Sequence, residues 1–377
     1  MNSPGFINVS FQLRRGTRSA RFCAEPGVES LTSVPGGGLR RSTGAKVVDM
    51  EDFGVVFDID GVLLHGKQLL KGGREAVEYC EEYGVPHVFL TNNAMDLESV
   101  RADYLSSVLG AEIHANRMIC AHTPLTDLPD EVKQGLVLVT GFSTGDVRDI
   151  LFFKGFQNVQ TVHEYAEKRP YLVPNKLYPG RKLTAYEDPD LVIPEEEETV
   201  SAVVVIENST DWHQDLQVIL DVLRSDGRVG SSMDKQMVDV YCCNYDFVFA
   251  TGFQNPRLGP GAFMRCLEML FRETTGRELE VKSFGKPFPP AYRTTERRLA
   301  AQSKSGTVPE TIYAIGDNPR SDIAGANRAG KRYKSILVRT GVFNGNLDND
   351  PEDPADYVVQ DVEEAMDLIR AIHTVKN

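Results

Sequence analysis

From Phe53 onward the chain alternates between two kinds of hydrophobic pattern. "FGVVFDI" (53–59) is a continuous apolar run that ends in polar residues, as in a strand buried on both faces. "GGREAVEYCEEYG" carries its apolar residues at helical spacing and stops at Gly84. "PHVFLTNNA" is a second buried strand, and "DLESVRADYLSSVLG" a second helix with Asp96 as its expected N-cap. Strand, helix, strand, helix in that order predicts a parallel sheet, because parallel neighbours need a long crossover.

Residues 120–283 repeat the theme with other spacings. "GLVLVTGF" and "SAVVVIEN" read as strands, and "TDWHQDLQVILDVLRSDG" as a helix. "YDFVFATGF" reads as a strand leading into the helix "GPGAFMRCLEMLFRETTG". Between them, "YLVPNKLYPGRKLTAYEDPDLVIPEEEET" is rich in proline and charge and reads as a surface excursion. After Ser283 the first pattern resumes: "FGKPFPPAY" into a helix, "TIYAIGDNP" as a strand, "SDIAGANRAG" as a short helix, "KSILVRTGVF" as a strand, and "ADYVVQDVEEAMDLIRAI" as a closing strand and helix. The expected organisation is one α/β domain (49–119 and 284–377) split by an inserted α/β domain (120–283).

Composition narrows the class. The 377 residues carry a net charge of −13 and are 41% hydrophobic, enough for a full core and against non-specific nucleic-acid binding. No apolar run is long enough to span a membrane, so no membrane insertion is expected. Six cysteines without a CxxC pair read as free thiols in a reducing compartment, with Cys242 and Cys243 as strand neighbours on opposite faces. Residues 1–48 differ: seven basic residues stand against two acidic ones, amid Ser and Gly. That is the composition of a mitochondrial transit peptide, so a mitochondrial location is expected, the alternative being a cytoplasmic protein with a polar tail.

The chemistry lies where the buried strands end. Asp58 and Asp60, two residues apart and followed by Gly61, put like charges together, which costs free energy unless a positive group sits between them. Thr91, Asn92 and Asn93 end the second strand; Lys286, Asp317, Asn318 and Asp322 follow in the last third. Open parallel sheets bind ligands at the carboxyl ends of their strands. If these tips converge, they supply hard oxygen ligands suited to Mg²⁺, with a lysine and small donors suited to phosphate.

"DIDGVLL", "LTNN", "GKP" and "GDNPRSDI" resemble, in order, the motifs of the haloacid dehalogenase-like superfamily of phosphatases. The long insert resembles the large α/β cap of its type II branch (type IIA). "DFVFATGFQNPRLGPGAF" is similar to the end of that cap, and the layout with a basic leader resembles the mitochondrial cat eye syndrome critical region protein 5-like group. The resemblance covers about residues 53–372 and implies a Rossmann-like parallel-sheet core with an inserted cap. It implies Asp58 as nucleophile, Asp60 as acid and base, and Mg²⁺ on Asp58, the Asp60 carbonyl and Asp317. Thr91, Asn92 and Lys286 would hold phosphate, with Gly61, Asn318 and Asp322 in support, Asp322 orienting Lys286 or a metal-bound water. Asn318 and Pro319 depart from the acid that other branches carry after Asp317. The expected partner is a small phosphorylated substrate in the mitochondrial matrix, with a homodimer through the cap. A phosphotransferase, or a catalytically vestigial mitochondrial binding or assembly protein, are the alternatives. His65 reads as a loop residue, Trp212 as cap packing and Arg257 as a cap contact.

Overall fold

The computed structural model describes residues 53–374 apart from 142–143, 191–197, 232–234, 250–254, 256 and 346. The basic leader expected over 1–48 lies outside the described residues. Two parallel sheets carry the architecture. In chain order their strands are β1 (Phe53–Phe57), β2 (His87–Leu90), β3 (Met118–Ile119), β4 (Leu136–Thr140), β5 (Asn158–Thr161), β6 (Val200–Val205), β7 (Asp239–Cys242), β8 (Val281–Ser283), β9 (Thr311–Gly316), β10 (Tyr333–Val338) and β11 (Tyr357–Val359). A six-stranded sheet runs β11–β10–β9–β1–β2–β3, and a five-stranded sheet runs β8–β7–β6–β4–β5. Helices α1 (Gly73–Tyr83), α2 (Glu98–Leu109), α3 (Trp212–Leu223), α4 (Pro260–Thr275), α5 (Pro289–Ala300) and α6 (Val362–Thr374) provide the main crossovers and cover. The fold is α/β, with the helices between the parallel strands.

The inner strands of each sheet are buried on both faces, which is why they lack alternation. Phe53, Val55 and Phe57 point into one apolar layer with Val362, Ala365 and Ile369 of α6, and Val56 points into the other with Leu299 of α5. The five-stranded sheet repeats this: Val203 and Val205 face one layer, Ala202 and Val204 the other. Cys242 and Cys243 likewise fall on opposite faces. Register positions the strand tips. Phe57 pairs with Ile315 and with Phe89, so the residues just beyond β1, β9 and β2 emerge side by side.

Two expectations are corrected. The strand that joins the sheet between α3 and α4 is Asp239–Cys242, ahead of "YDFVFATGF". Val240, Tyr241 and Cys242 are buried, as a central strand requires, whereas Phe247, Val248 and Phe249 are exposed. Of that segment 250–253 lie outside the described residues; among the described ones Val248–Phe249 pairs antiparallel with Arg257–Leu258. The N-cap of α2 is Leu97, without a side-chain bond, rather than Asp96. The Asp96 carbonyl instead accepts from the buried His122 ring at 2.9 Å. Trp212 packs edge-on against Phe263 with ring centroids 5.5 Å apart.

Candidate active site

The last ladder bond of β1 is Asp58 N–H to the Ile315 carbonyl, at 2.9 Å. The chain then turns tightly: the Ile59 carbonyl accepts from Leu63 and Leu64, and Gly61 N–H donates to the Leu64 carbonyl. Gly61 adopts φ +100, where a side chain is strained, and a Cβ there would run into the Asp317 carboxylate. The turn therefore lets Asp58 and Asp317 approach. Ile59 points down into the core, leaving Asp58 and Asp60 on the tip.

Asp58, Asp317 and Asp322 each offer a carboxylate oxygen within 4.8 Å of the others, and all three are buried. Lys286 lies among them. Its ammonium donates to Asp58, to Asp322 at 2.6 Å and to the Leu90 carbonyl at 3.0 Å, which uses its three hydrogens. Asp317 accepts the Val342 N–H at 2.6 Å, and Asp322 accepts the Asn318 N–H at 3.0 Å. The Asn318 side chain accepts the Arg320 N–H, so it caps the turn that carries Asp322.

Thr91 is buried, and its hydroxyl accepts from Asn93 N–H at 3.1 Å while keeping its own proton to donate. The Asn92 side chain brackets Lys286, accepting its main-chain N–H at 2.8 Å and donating to its carbonyl at 3.1 Å. Asn92 also donates to Asp246 at 3.2 Å, so both amide hydrogens are engaged. The Asp60 carboxylate stands apart from the buried three and pairs with Arg101 at 2.9 Å. His65 is exposed, and Arg257 lies on the exposed ribbon, donating to the Asn255 carbonyl.

Burial pushes Asp58 well above the ordinary carboxylate range; Lys286 pulls it back, and Asp322 and Asp317 push it further. Asp317 is pushed up to about 7, by burial first and then by Asp322. Burial alone would lower Lys286, but Asp322 and Asp58 hold it well above its ordinary value, so it stays charged. Three buried carboxylates against one ammonium leave an excess of negative charge that a cation would relieve. The donors are all hard oxygens, so the residues fit a divalent metal.

Sequence reading missed Arg101 and Asp246. Arg101 carried a signal: it shares the buried stripe of α2 with Ala102, Leu105 and Leu109, an unusual place for a charge. Asp246 carried none, because it reaches Asn92 across 154 positions of chain.

A family model described as haloacid dehalogenase-like hydrolase matches residues 55–157, and a HAD-hydrolase-like model matches 283–365. The chain is 33% identical over 316 residues to the cardiolipin synthase (CMP-forming) / mitochondrial hydrolase fusion protein of Schizosaccharomyces pombe, covering 82% of this chain and 51% of that one. It is 29% identical over 338 residues to a mitochondrial hydrolase of Saccharomyces cerevisiae, covering 82% and 93%. The chain thus spans about half the length of the fission-yeast relative. Among solved structures, a p-nitrophenyl phosphatase from Archaeoglobus fulgidus shares the fold, with a TM-score of 0.57 and 18% identity over 84% of this chain and 98% of that one. Residues 55–157 and 283–365, on either side of the long insert, are thus similar to haloacid dehalogenase-like hydrolases.

Proposed function

We propose that this chain is a phosphatase that hydrolyses the phosphoric monoester of a small metabolite through an aspartyl-phosphate on Asp58. One observation carries the reading: at the tip of β1, Asp58 is buried against a charged lysine and beside two further carboxylates. An Asp58 oxygen forms a bond to phosphorus as the ester P–O bond breaks. Asp60 gives its proton to the departing alcohol. It then takes a proton from the water that attacks phosphorus, releasing phosphate and restoring Asp58. Lys286 offsets the charge of nucleophile and phosphate, and Asp322 holds Lys286. The Thr91 hydroxyl donates to a phosphoryl oxygen; the Asn92 side chain, engaged with Lys286, leaves its contribution to the main chain. Asp58, the Asp60 carbonyl and Asp317 would hold Mg²⁺, whose charge would offset that of the phosphate.

The chain crosses from the tips of the six-stranded sheet into residues 120–283, which supports a core (49–119 and 284–377) covered by a cap (120–283). A cap over the cleft favours small substrates. The yeast relatives' names and the basic leader support a mitochondrial location, in the matrix. Hydrolysis of p-nitrophenyl phosphate and a panel of phosphorylated metabolites, with Mg²⁺ and with EDTA, tests the reading. Mg²⁺-dependent phosphate release that disappears in Asp58→Asn is expected; undiminished release by that variant overturns it.

A further inference from the structure

Lys286 sits where the chain passes from the five-stranded sheet to α5, and groups from both sheets pin that passage. Phe284 N–H, just past β8, donates to the Cys242 carbonyl at the end of β7, at 2.9 Å. A Cβ on Gly285 would run into the Cys243 carbonyl and would crowd the Asn92 side-chain oxygen. Asn92, from the loop after β2, then grips Lys286 at two points of its main chain. A third bond fixes Asn92 itself, to the carboxylate of Asp246 in the loop after β7. Asp246 is anchored in turn: its N–H donates to the Asn244 side chain at 2.7 Å, and its carbonyl accepts the N–H of Gly261 in the first turn of α4 at 3.1 Å.

We infer that Asp246 is a positioning residue that holds Lys286 in register with Asp58 by orienting the Asn92 amide. The physical reason is the polarity of that amide. Flipped, Asn92 would aim its NH₂ at the Lys286 N–H and its oxygen at the Asp246 carboxylate and the Lys286 carbonyl, three repulsions in place of three bonds. Asp246 touches none of the reacting atoms. It makes a loop of the five-stranded sheet part of the support for the lysine, so displacing that loop loosens the site. The inference rests on the phosphatase reading for its kinetic consequence and on geometry alone for its structural one.

The test uses the full chain and two readouts. With p-nitrophenyl phosphate and Mg²⁺, Asp246→Ala loses kcat by about 10- to 50-fold with KM changed less than about threefold, the pattern of a misplaced group. Asp246→Asn, whose side-chain oxygen still accepts from Asn92, stays within about threefold of wild type. Added to Asn92→Ala, Asp246→Ala costs no more than about twofold, since both changes cut one chain of contacts. The second readout is amide hydrogen exchange in the peptide spanning 284–288. Exchange there accelerates at least about tenfold in Asp246→Ala and not in Asp246→Asn. Should the alanine variant not fold, Asn92→Asp replaces it: this change sets two carboxylates against each other, accelerates exchange at 284–288, and is partly reversed by adding Asp246→Asn. Wild-type exchange in Asp246→Ala, additive losses, or an asparagine variant as impaired as alanine overturns the inference. A wild-type protein that releases no phosphate counts against the phosphatase reading, and the exchange readout still decides the role of Asp246.

Discussion

Asp317 and Glu207 lie at the carboxyl ends of comparable strands, one in each sheet. Asp317 follows β9, beside β1; Glu207 follows β6, between β7 and β4. Both are buried, and burial is the largest cause that pushes each up to about 7. Their neighbours differ. Asp317 shares a small volume with Asp58 and Asp322, around Lys286. Glu207 accepts main-chain N–H groups of Asn208 and Ala94 and feels the charge of Asp246 at longer range. Among the described residues, Glu207 is absent from the group of carboxylates close enough to share an ion. A displaced carboxyl therefore reports burial; a displaced carboxyl among like charges with a lysine between them reports a site.

The sharpest way to break this comparison is to neutralise each carboxylate separately. Asp317→Asn removes a charge from the proposed metal set and should lower kcat/KM by at least ~10³-fold, several kcal/mol of lost charge stabilisation. Glu207→Gln should leave kcat/KM within about threefold, because among the described residues Glu207 lies outside the group of carboxylates around Lys286. Equal losses in the two variants would mean that the tip chemistry is misassigned. Next in size is Arg101→Ala, which frees the Asp60 carboxylate from its partner. A loss of about tenfold in kcat is expected, by analogy with other losses of orientation, and unchanged steady-state kinetics would leave Arg101 a purely structural residue.

The smallest effect is on stability. Asp317 has a folded value near 7 against an ordinary 3.8, so the folded state holds its proton more tightly than the unfolded state does. That contribution is fully present below about pH 3.8 and is lost as pH rises through 7. Mg²⁺ competes with the same proton. It should therefore raise Tm by roughly 5 °C at pH 8 and by less than half of that at pH 5.5. A larger shift at pH 5.5 would put the cation elsewhere. Glu207→Gln supplies the counterpart: it should gain stability relative to wild type only as pH rises from about 4.5 through 7, with no dependence on Mg²⁺.

Much of this is legible in the amino-acid sequence. The tip of β1 was readable because a buried strand ending in two acids and a glycine is locally inconsistent unless a ligand resolves it. Lys286 and Asp317 were readable because each follows a local turn or strand signal. What was not readable depends on contacts distant in sequence. β7 is only four residues long and stands beside the more apolar "YDFVFATGF", so local hydrophobicity pointed to the wrong segment. Asn92 reads as a phosphate ligand, and the engagement of its side chain with Lys286, which joins positions 194 apart, has no local signal. Asp246 and Arg101 enter the site only through such long-range contacts.

The central claim is that Asp58 becomes phosphorylated, and acid-quench trapping with a labelled aryl phosphate tests it most directly. Wild type should give a transient labelled protein whose label maps to Asp58. Asp60→Asn should still accept label from a substrate with a good leaving group and should release it slowly, with a defect of ~10²–10⁴-fold that grows as the leaving group worsens. Asp58→Asn should give no label at all. Label on the Asp58→Asn protein, or an Asp60→Asn defect independent of the leaving group, would contradict the assignment of the two aspartates.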